Sequence, residues 1–186
     1  MYSDQLLVRN LAACETMGNV TNICSDKTGT LTENRMTVVE GWFAGKRVML
    51  DVQRRGVACS DSKVENLLIA NISVNRSAYF AMDADMGVTI VGNKTEAALL
   101  MLARAWDFDC DAKRAEIFDQ EKDKVFAFNS SKKRSTAVVH QPDGSVVLFC
   151  KGAGEDILSA CTSVLTPTGD TIPLTPEIIK SKLSFS

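Results

Sequence analysis

The sequence predicts an α+β protein, an antiparallel sheet with flanking helices, preceded by a strand and loop of the α/β type. The first observation is a succession of β-type runs late in the chain, at Lys124–Phe128, Thr136–Gln141 and Ser145–Lys151. The second is the turn Pro142-Asp143-Gly144, which joins the last two runs as an antiparallel hairpin. The third is the β-type run Asn19–Cys24, which ends in a polar, glycine-containing loop, as strands of open α/β sheets do at their ligand-binding edge.

The elements of the first half follow from hydrophobic periodicity and turn residues. Residues 1–18 indicate an amphipathic connection that leads into the first strand. Two β-type segments, Thr37–Phe43 and Lys46–Val52, flank the dipeptide Ala44-Gly45 and predict a hairpin. Apolar residues at helical spacing then predict a helix over Ser62–Val74.

The elements of the second half surround the three β-type runs. The β-branched segment Val88–Val91 predicts a short strand, and the alanine- and leucine-rich segment Thr95–Trp106 predicts a strong helix. Asp111–Phe118 indicates a further short helix. After the sheet, Ala153–Cys161 predicts a helix that begins just behind a glycine, and a last short helix begins at about Pro176.

Composition restricts the class of protein. The chain has 186 residues, 45% of them hydrophobic and 24% charged, which is typical of a globular domain of ordinary size. The net charge of -2 gives no reason to expect a nucleic-acid partner. Six scattered cysteines and one histidine form no zinc motif, and no apolar run approaches the roughly 18–20 residues that cross a bilayer.

One loop carries the residues that phosphoryl transfer requires. Within the run Cys24–Thr32, Asp26 offers a carboxylate nucleophile, Lys27 a cation and Thr28 hydroxyl and N–H donors. Gly29 lets the backbone approach a phosphate without a Cβ clash. Because a carboxylate and a phosphate repel each other, Mg²⁺ is needed to bridge them. The alternative is a solvated Asp-Lys turn closed by a local hydrogen bond.

Three clusters beyond residue 90 have the residue types of a nucleotide site, although no glycine-rich phosphate loop is present. Thr95 is suited to cap the strong helix, and Glu96 to accept a hydrogen bond from an exocyclic amine. Phe128 precedes a basic stretch that includes Lys133, which together offer an aromatic face and cations. Lys151-Gly152-Ala153 joins a strand to a helix start that favours electron-rich groups.

Each cluster also has a structural alternative. The first is an ordinary N-cap with an acid in the first turn of the helix. The second is a core phenylalanine followed by a solvated basic turn, and the third is a tight turn with a surface lysine. Taken singly, the second and third clusters favour the structural interpretation.

The motifs together resemble those of P-type ATPases, the cation pumps that form an aspartyl-phosphate. The run Cys24–Thr32 is similar to the phosphorylation signature of that family, and motifs similar to its G-N-K-T-E, F-x-x-x-x-K and K-G-A follow in the same order. The resemblance covers nearly the whole chain. It is closest to the calcium pumps of the plasma-membrane type.

The resemblance implies roles for individual residues. Asp26 would accept the γ-phosphoryl group of ATP, with Lys27 and Thr28 completing the catalytic loop and Asp26 and Thr28 holding Mg²⁺. The residues implied to bind ATP are Thr95, Glu96, Phe128, Lys133, Lys151, Gly152 and Ala153. Among them Glu96 would contact the adenine side, Phe128 would stack on the base and Lys133 would lie toward the phosphates.

The resemblance also implies a domain organisation. Residues 1–36 would begin a Rossmann-like phosphorylation domain of the haloacid-dehalogenase type and include its first hinge, and residues 37–186 would form a nucleotide-binding domain that is truncated at its C-terminal end. The segment would lie on the cytosolic face of a membrane-integral pump that transports Ca²⁺. Its partners would be the actuator domain, the rest of the phosphorylation domain and the transmembrane helices. Any ion site or calmodulin regulation would lie outside this chain.

Two other functions stay open. A haloacid-dehalogenase-type phosphohydrolase has the same loop, but it usually carries a second aspartate two residues after the nucleophile, where this chain has Thr28. An ATP-binding regulatory module without catalysis is the other. The isolated segment is expected to be nearly inactive. Residues 1–33 lack the sheet that would flank Val20–Cys24 and are therefore expected to be disordered, frayed or paired with another chain.

Overall fold

Short strands and helices follow one another along the whole described chain. The computed structural model describes residues 11–50, 62–83 and 87–182. The helices are α1 (Leu11–Gly18), α2 (Ser62–Val74), α3 (Lys94–Ala105), α4 (Cys110–Ile117), α5 (Gly154–Ala160) and α6 (Pro176–Lys182). The strands are β1 (Glu40–Phe43), β2 (Lys46–Met49), β3 (Tyr79–Asp83), β4 (Gly87–Val91), β5 (Lys124–Asn129), β6 (Arg134–His140), β7 (Val146–Gly152), β8 (Ser163–Leu165) and β9 (Thr171–Pro173). The chain divides into two compact units, Met1–Arg35 and Met36–Ser186.

The first unit contains helix α1 and a wide turn at Lys27–Leu31, with non-helical backbone at Thr28 and Gly29. The strand predicted over Asn19–Cys24 is wrong, since these residues are exposed and form no strand. A strand is stable only when its N–H and C=O groups are paired with a neighbouring strand, and the described part of this unit offers none. Within the described residues the Rossmann-like strand is therefore not confirmed, and the loop that follows it is a wide turn.

Two antiparallel hairpins open the second unit. β1 and β2 pair around Ala44-Gly45, whose φ angles of 46° and 89° suit the tight turn that matches strand twist, so the predicted hairpin is confirmed. The end of its predicted second strand, beyond Leu50, lies outside the described residues. β3 and β4 form the second hairpin, with Phe80 opposite Ile90. Only β4 was predicted from the sequence.

A three-stranded antiparallel sheet, β5-β6-β7, confirms the predicted late strands. In β6 the residues Ser135, Ala137 and Val139 are buried, whereas the intervening side chains are more exposed. The register of β5 against β6 shifts between Phe126 and Asn129, which inserts a bulge at the end of β5.

Helix α2 has the predicted bounds and contributes to both buried clusters of the second unit. Its Ile69 and Ile72 pack with Leu100 of α3 and Cys110 of α4. Val74 at its end packs with Ala137 and Val139 of the sheet. The end of α2 and the residues that follow it therefore lie where the helical layer meets the three-stranded sheet.

The fold is α+β, as predicted, but in the described part of the chain the expected single sheet is replaced by four small antiparallel sheets of two, two, three and two strands. The β8–β9 hairpin around the turn at residues 166–170 was not predicted, whereas the helix at Pro176 was. Helix α3 also differs from expectation at its start, because Asn93 rather than Thr95 caps it. Among the described residues, no helix has the length and apolarity that a membrane span requires.

Candidate functional site

The loop with the predicted nucleophile is exposed and held by its own hydrogen bonds. The Asp26 carboxylate accepts a hydrogen bond from the Lys27 N–H at 2.7 Å. The Thr32 hydroxyl accepts from the Gly29 N–H and donates to the Lys27 carbonyl, both at 3.3 Å. Gly29 has a φ of 83°, a conformation that glycine adopts without strain. The loop therefore presents the Asp26 side chain to solvent on a defined turn.

The donor set of this loop fits Mg²⁺ only together with a ligand. Mg²⁺ is commonly held by one or two carboxylates, and the phosphate of a substrate and water complete its octahedron. Asp26 supplies one carboxylate and Thr28 supplies neutral oxygens. The described residues contain no group of three or more His, Cys, Asp or Glu side chains that would hold a metal without such a ligand. The loop is thus suited to a metal that arrives with a phosphate.

Glu96 lies in the first turn of α3, where the Asn93 side chain caps the helix by accepting from the N–H groups of Thr95 and Glu96. Oε2 of Glu96 accepts from the Ser77 N–H at 2.8 Å, the Ser77 hydroxyl at 2.9 Å and the Ala78 N–H at 2.9 Å. The carboxylate is therefore fixed to the segment between α2 and β3.

Lys151 lies on β7, opposite Ser135, on the face of the sheet that is covered by α2. Its Nζ donates to Glu96 Oε1 at 2.7 Å and also to the main-chain carbonyl of Asn75. The two charged side chains are mostly shielded from solvent, with exposed fractions of 24% for Lys151 and 12% for Glu96. They form a fixed ion pair between α3 and β7.

This surrounding sets the charge of Glu96. Burial alone would raise the pKa of the Glu96 carboxyl, but the hydrogen bond from Lys151, those from Ser77 and Ala78, and the lysine charge outweigh it. Together they lower the pKa from 4.5 to about 2. Glu96 is therefore a carboxylate at every physiological pH.

Asn75 is a functional candidate that the sequence did not single out. It is buried, and its Nδ2 donates to Ser135 O at 3.3 Å and Phe149 O at 3.0 Å, which ties the end of α2 to the main chain of β6 and β7. A further bond joins it to the side chain of Asn71. The signal available in the sequence was a polar pair, Asn75-Arg76, directly after an apolar helix.

Gly152 and Ala153 bring the loop between β5 and β6 against the end of β7. The Ala153 N–H donates to Lys133 O at 3.1 Å. A Cβ on Gly152 would lie 2.4 Å from the same oxygen, so the close approach of the two chains requires glycine. The Lys133 side chain is exposed and lies 3.7 Å from Asp156 of α5.

Phe128 lies at the bulge that ends β5, with 59% of its surface exposed. The turn after it is ordered by Asn129, whose Oδ1 accepts from Ser131 N at 2.9 Å, Ser131 Oγ at 2.6 Å and Lys132 N at 3.3 Å. The structural alternative of a core phenylalanine is wrong for Phe128. The ring is available to a ligand at the end of the sheet that also carries Lys133.

The structure brings the cluster of Glu96 and the cluster of Lys133 into direct contact with the cluster Lys151-Gly152-Ala153. Glu96 meets Lys151, and the main chain of Lys133 meets that of Ala153. Thr95 does not join this network, since its hydroxyl lies 3.8 Å from the sulfur of Met36. These contacts join residues that are far apart in the sequence.

A cavity of about 460 Å³ lies elsewhere in the second unit. Phe80, Arg104 and Phe108 line it together with the aspartates at the start of α4. None of the residues predicted to bind ATP borders it, so it is separate from the candidate site.

Comparison with known proteins places these residues in a family. The family model described as P-type ATPase, cytoplasmic domain N, matches residues 63–184. The chain is 41% identical over 181 residues to plasma membrane calcium-transporting ATPase 4 of Homo sapiens, covering 93% of this chain and 14% of that protein. It is 38% identical over 190 residues to calcium-transporting ATPase 4, plasma membrane-type, of Arabidopsis thaliana, covering 97% of this chain and 18% of that protein.

The chain thus spans less than a fifth of the length of these relatives. The matched family region contains α3 to α6, all of α2 after its first residue, and all three clusters of the second unit. The match extends over more than half of the chain, and the chain therefore belongs to the P-type ATPase family, in which residues 63–184 correspond to cytoplasmic domain N.

Proposed function

We propose that this chain is the ATP-binding and phosphoryl-accepting part of a calcium-transporting P-type ATPase. The nucleotide would bind in the second unit and the γ-phosphoryl group would pass to Asp26. In the intact protein, hydrolysis of the resulting aspartyl-phosphate would drive export of Ca²⁺, the ion in the names of both relatives. The segment would lie on the cytosolic side of the membrane.

One observation carries the nucleotide part of the proposal. Lys151 and Ala153 of the K-G-A motif contact Glu96 of G-N-K-T-E and Lys133 of F-N-S-S-K-K, respectively. The exposed ring of Phe128 lies at the same end of the sheet, because Asn129 pairs with Arg134 and Arg134 pairs with Gly152. An aromatic face, a partly buried ion pair and an exposed lysine suit a base, its polar edge and a phosphate chain.

The residues of this pocket have distinct proposed roles. Phe128 stacks on the base, and Lys151 and Glu96 present a donor and an acceptor 2.7 Å apart to polar groups of the base. Lys133 turns from Asp156 toward the phosphates, which is feasible because that ion pair is long and exposed. Gly152 and Ala153 form the floor, and Thr95 borders the site from the start of α3.

The chemistry at Asp26 is nucleophilic displacement at phosphorus. The exposed carboxylate attacks the γ-phosphorus in line, the bond to the bridging oxygen breaks, and ADP leaves. Asp26 and Thr28 would hold Mg²⁺ together with the phosphate, and the bound ion would supply positive charge that offsets the repulsion between carboxylate and phosphate. Lys27 adds a positive charge or its N–H on the same turn. The other domains of the pump are required to complete this site, so the segment alone would turn over ATP hardly at all.

The pocket is tested by calorimetric titration of the chain with ATP. Phe128→Ala is expected to weaken binding about tenfold or more, because base–aromatic stacking contributes on the order of 1–3 kcal/mol. Lys151→Met is expected to weaken it as strongly, because Glu96 loses its partner. Phe126→Ala is the matched control, an exposed ring on the same strand that lies outside the proposed pocket. Equal loss in Phe126→Ala and Phe128→Ala would reject the stacking assignment.

The phosphoryl acceptor is tested in the full-length pump. Asp26→Asn is expected to abolish the acid-stable phosphoenzyme formed from γ-labelled ATP, because an amide is not a nucleophile toward phosphorus. ATP affinity is expected to stay within about twofold of the parent. A labelled phosphoenzyme in Asp26→Asn would exclude Asp26 as the acceptor.

A further inference from the structure

The residues between α2 and β3 contact both members of the partly buried Lys151–Glu96 ion pair. The Asn75 carbonyl accepts from the Lys151 ammonium, and two residues later Ser77 donates its N–H and its hydroxyl to the Glu96 carboxylate. Ala78 donates a further N–H to Glu96 at 2.9 Å. One short segment therefore supplies partners to the cation and to the anion.

This segment is itself held in place on both sides. Asn75 is bound by its side chain to the carbonyls of Ser135 and Phe149. The buried guanidinium of Arg76 donates to the carbonyls of Ser73 at 3.1 Å and Ala78 at 2.6 Å. It also forms an ion pair with Asp111 at the start of α4. The main chain from Ser73 to Ala78 is thus fixed by side chains from within the segment and by its neighbours.

Such fixation matters for a lysine in a binding site. A lysine side chain has four rotatable bonds and loses much conformational freedom when its ammonium is confined to one position. When the protein confines it before the ligand arrives, that loss does not oppose binding. Lys151 is confined by Asn75 O and Glu96, and Glu96 is confined by Ser77 and Ala78.

We propose that Asn75 and Ser77 are positioning residues of the nucleotide site, which act by holding the Lys151–Glu96 pair in the orientation that meets the base. The inference rests on the proposed function, since it assigns Lys151 to the pocket. Neither residue needs to touch the nucleotide. Ser77 acts through the Glu96 carboxylate, and Asn75 acts through its carbonyl and the main chain of β6 and β7.

Ser77 offers the cleaner test, because Asn75 is buried and its replacement threatens the fold. Ser77→Ala removes one of the donors to Glu96 and leaves the main-chain donors, whereas Ser77→Thr keeps the hydroxyl. Ser163→Ala, at the exposed first residue of β8, is the control for loss of a serine hydroxyl. Each variant is titrated with ATP by calorimetry, and the pKa of Glu96 is followed by carbon-13 NMR of its carboxyl group.

We expect Ser77→Ala to raise the Kd for ATP about three- to tenfold, the range of an ordinary hydrogen bond, because the main-chain donors of Ser77 and Ala78 still hold Glu96. Ser77→Thr should restore the affinity, and Ser163→Ala should leave it unchanged. The pKa of Glu96 should rise in Ser77→Ala only, a response that a general loss of stability would not produce. In a Glu96→Gln background, Ser77→Ala should have a much smaller effect, because the two changes remove the same interaction.

The outcomes separate this inference from the proposed function. If the parent chain binds ATP and Ser77→Ala binds it equally well, the positioning role of Ser77 is overturned, whereas the proposed nucleotide site is not. If Ser77→Ala and Glu96→Gln act independently, Ser77 does not work through Glu96 and the inference is also overturned. If the parent chain does not bind ATP, the proposed function fails, and the inference fails with it.

Discussion

The charge of Glu96 depends on contacts that exist only in the folded chain. Its pKa is lowered from 4.5 to about 2 against the effect of burial, by Lys151, Ser77 and Ala78. A carboxyl whose pKa is depressed on folding stabilises the fold above its unfolded pKa, and this contribution is lost as the pH falls through the folded pKa. The pH range that matters therefore extends from about 4.5 down to about 2.

We predict that Glu96→Gln flattens the dependence of stability on pH in this range. The parent should lose free energy of unfolding between pH 4.5 and pH 2, by about 3 kcal/mol at most from this group. Urea unfolding at several pH values measures the slope in both proteins. Other carboxyl groups with lowered pKa values contribute equally in the parent and in Glu96→Gln; these are Asp119, Asp123, Asp143 and Glu177. The difference between the two slopes therefore reports the contribution of Glu96. Parallel curves would show that Glu96 titrates normally.

Gly152 is required by the close approach of two main chains. A Cβ there would lie 2.4 Å from Lys133 O and 2.9 Å from the Cβ of Arg134, and neither atom moves without shifting β6. We predict that Gly152→Ala lowers the free energy of unfolding by about 1–3 kcal/mol, as overpacking does. Gly154→Ala is the matched control, since a Cβ at Gly154 meets nothing within 4 Å. Equal stability of the two variants in thermal unfolding would contradict the geometry.

At the scale of single elements, the start of helix α3 has two residues of the capping type, Asn93 and Thr95, and only Asn93 caps the helix. Asn93 accepts from the N–H groups of Thr95 and Glu96, and it has the extended backbone of a cap. We predict that Asn93→Ala costs about 1 kcal/mol of stability and that Thr95→Ala changes it by less than about 0.5 kcal/mol. Chemical denaturation of both variants decides between the two caps. A larger loss of stability in Thr95→Ala than in Asn93→Ala would show that Thr95 caps the helix.

The elements that the sequence predicted well are those whose signals are local. Helix α2 was predicted with the bounds that it has, because its apolar residues recur at helical spacing from Ser62 to Val74. The hairpin turns at Ala44-Gly45 and Pro142-Asp143-Gly144 were predicted because glycine there adopts a positive φ. Asn93 and Thr95 are both residues of the cap type, and composition alone did not distinguish them.

The elements that were missed depend on a partner elsewhere. β3 was missed because Tyr79–Met82 is a continuous apolar run without the alternation of a half-buried strand, and its pairing with β4 makes it a strand. For Asn19–Cys24 the prediction was wrong in the opposite direction, because a sequence suited to a strand has no strand beside it among the described residues. The ion pair of Glu96 with Lys151 depends on how α3 packs beside β7, which no sequence motif encodes. The sequence motifs identified Glu96 and Lys151 separately, and the fold brings their side chains into contact.

At the scale of the whole molecule, the buried residues are distributed unevenly. Every buried residue among those described lies at or beyond Ala44, within the unit Met36–Ser186. The described residues of the first unit, which carry Asp26, are exposed where their side chains are defined. Burial of apolar surface is the main favourable contribution to folding, so the second unit contains what its own stability requires.

We therefore predict that a chain lacking residues 1–35 unfolds within about 2 °C of the parent, because it keeps the whole described core. Ile69→Ala in the same shortened chain is the comparison, since this side chain is 1% exposed and its truncation should cost about 2–5 kcal/mol. ATP affinity should also survive the deletion, because the residues from Thr95 to Ala153 remain. If the shortened chain does not unfold cooperatively, residues 1–35 contribute to the core of the second unit. If it folds but no longer binds ATP, the nucleotide site extends into the loop of Asp26.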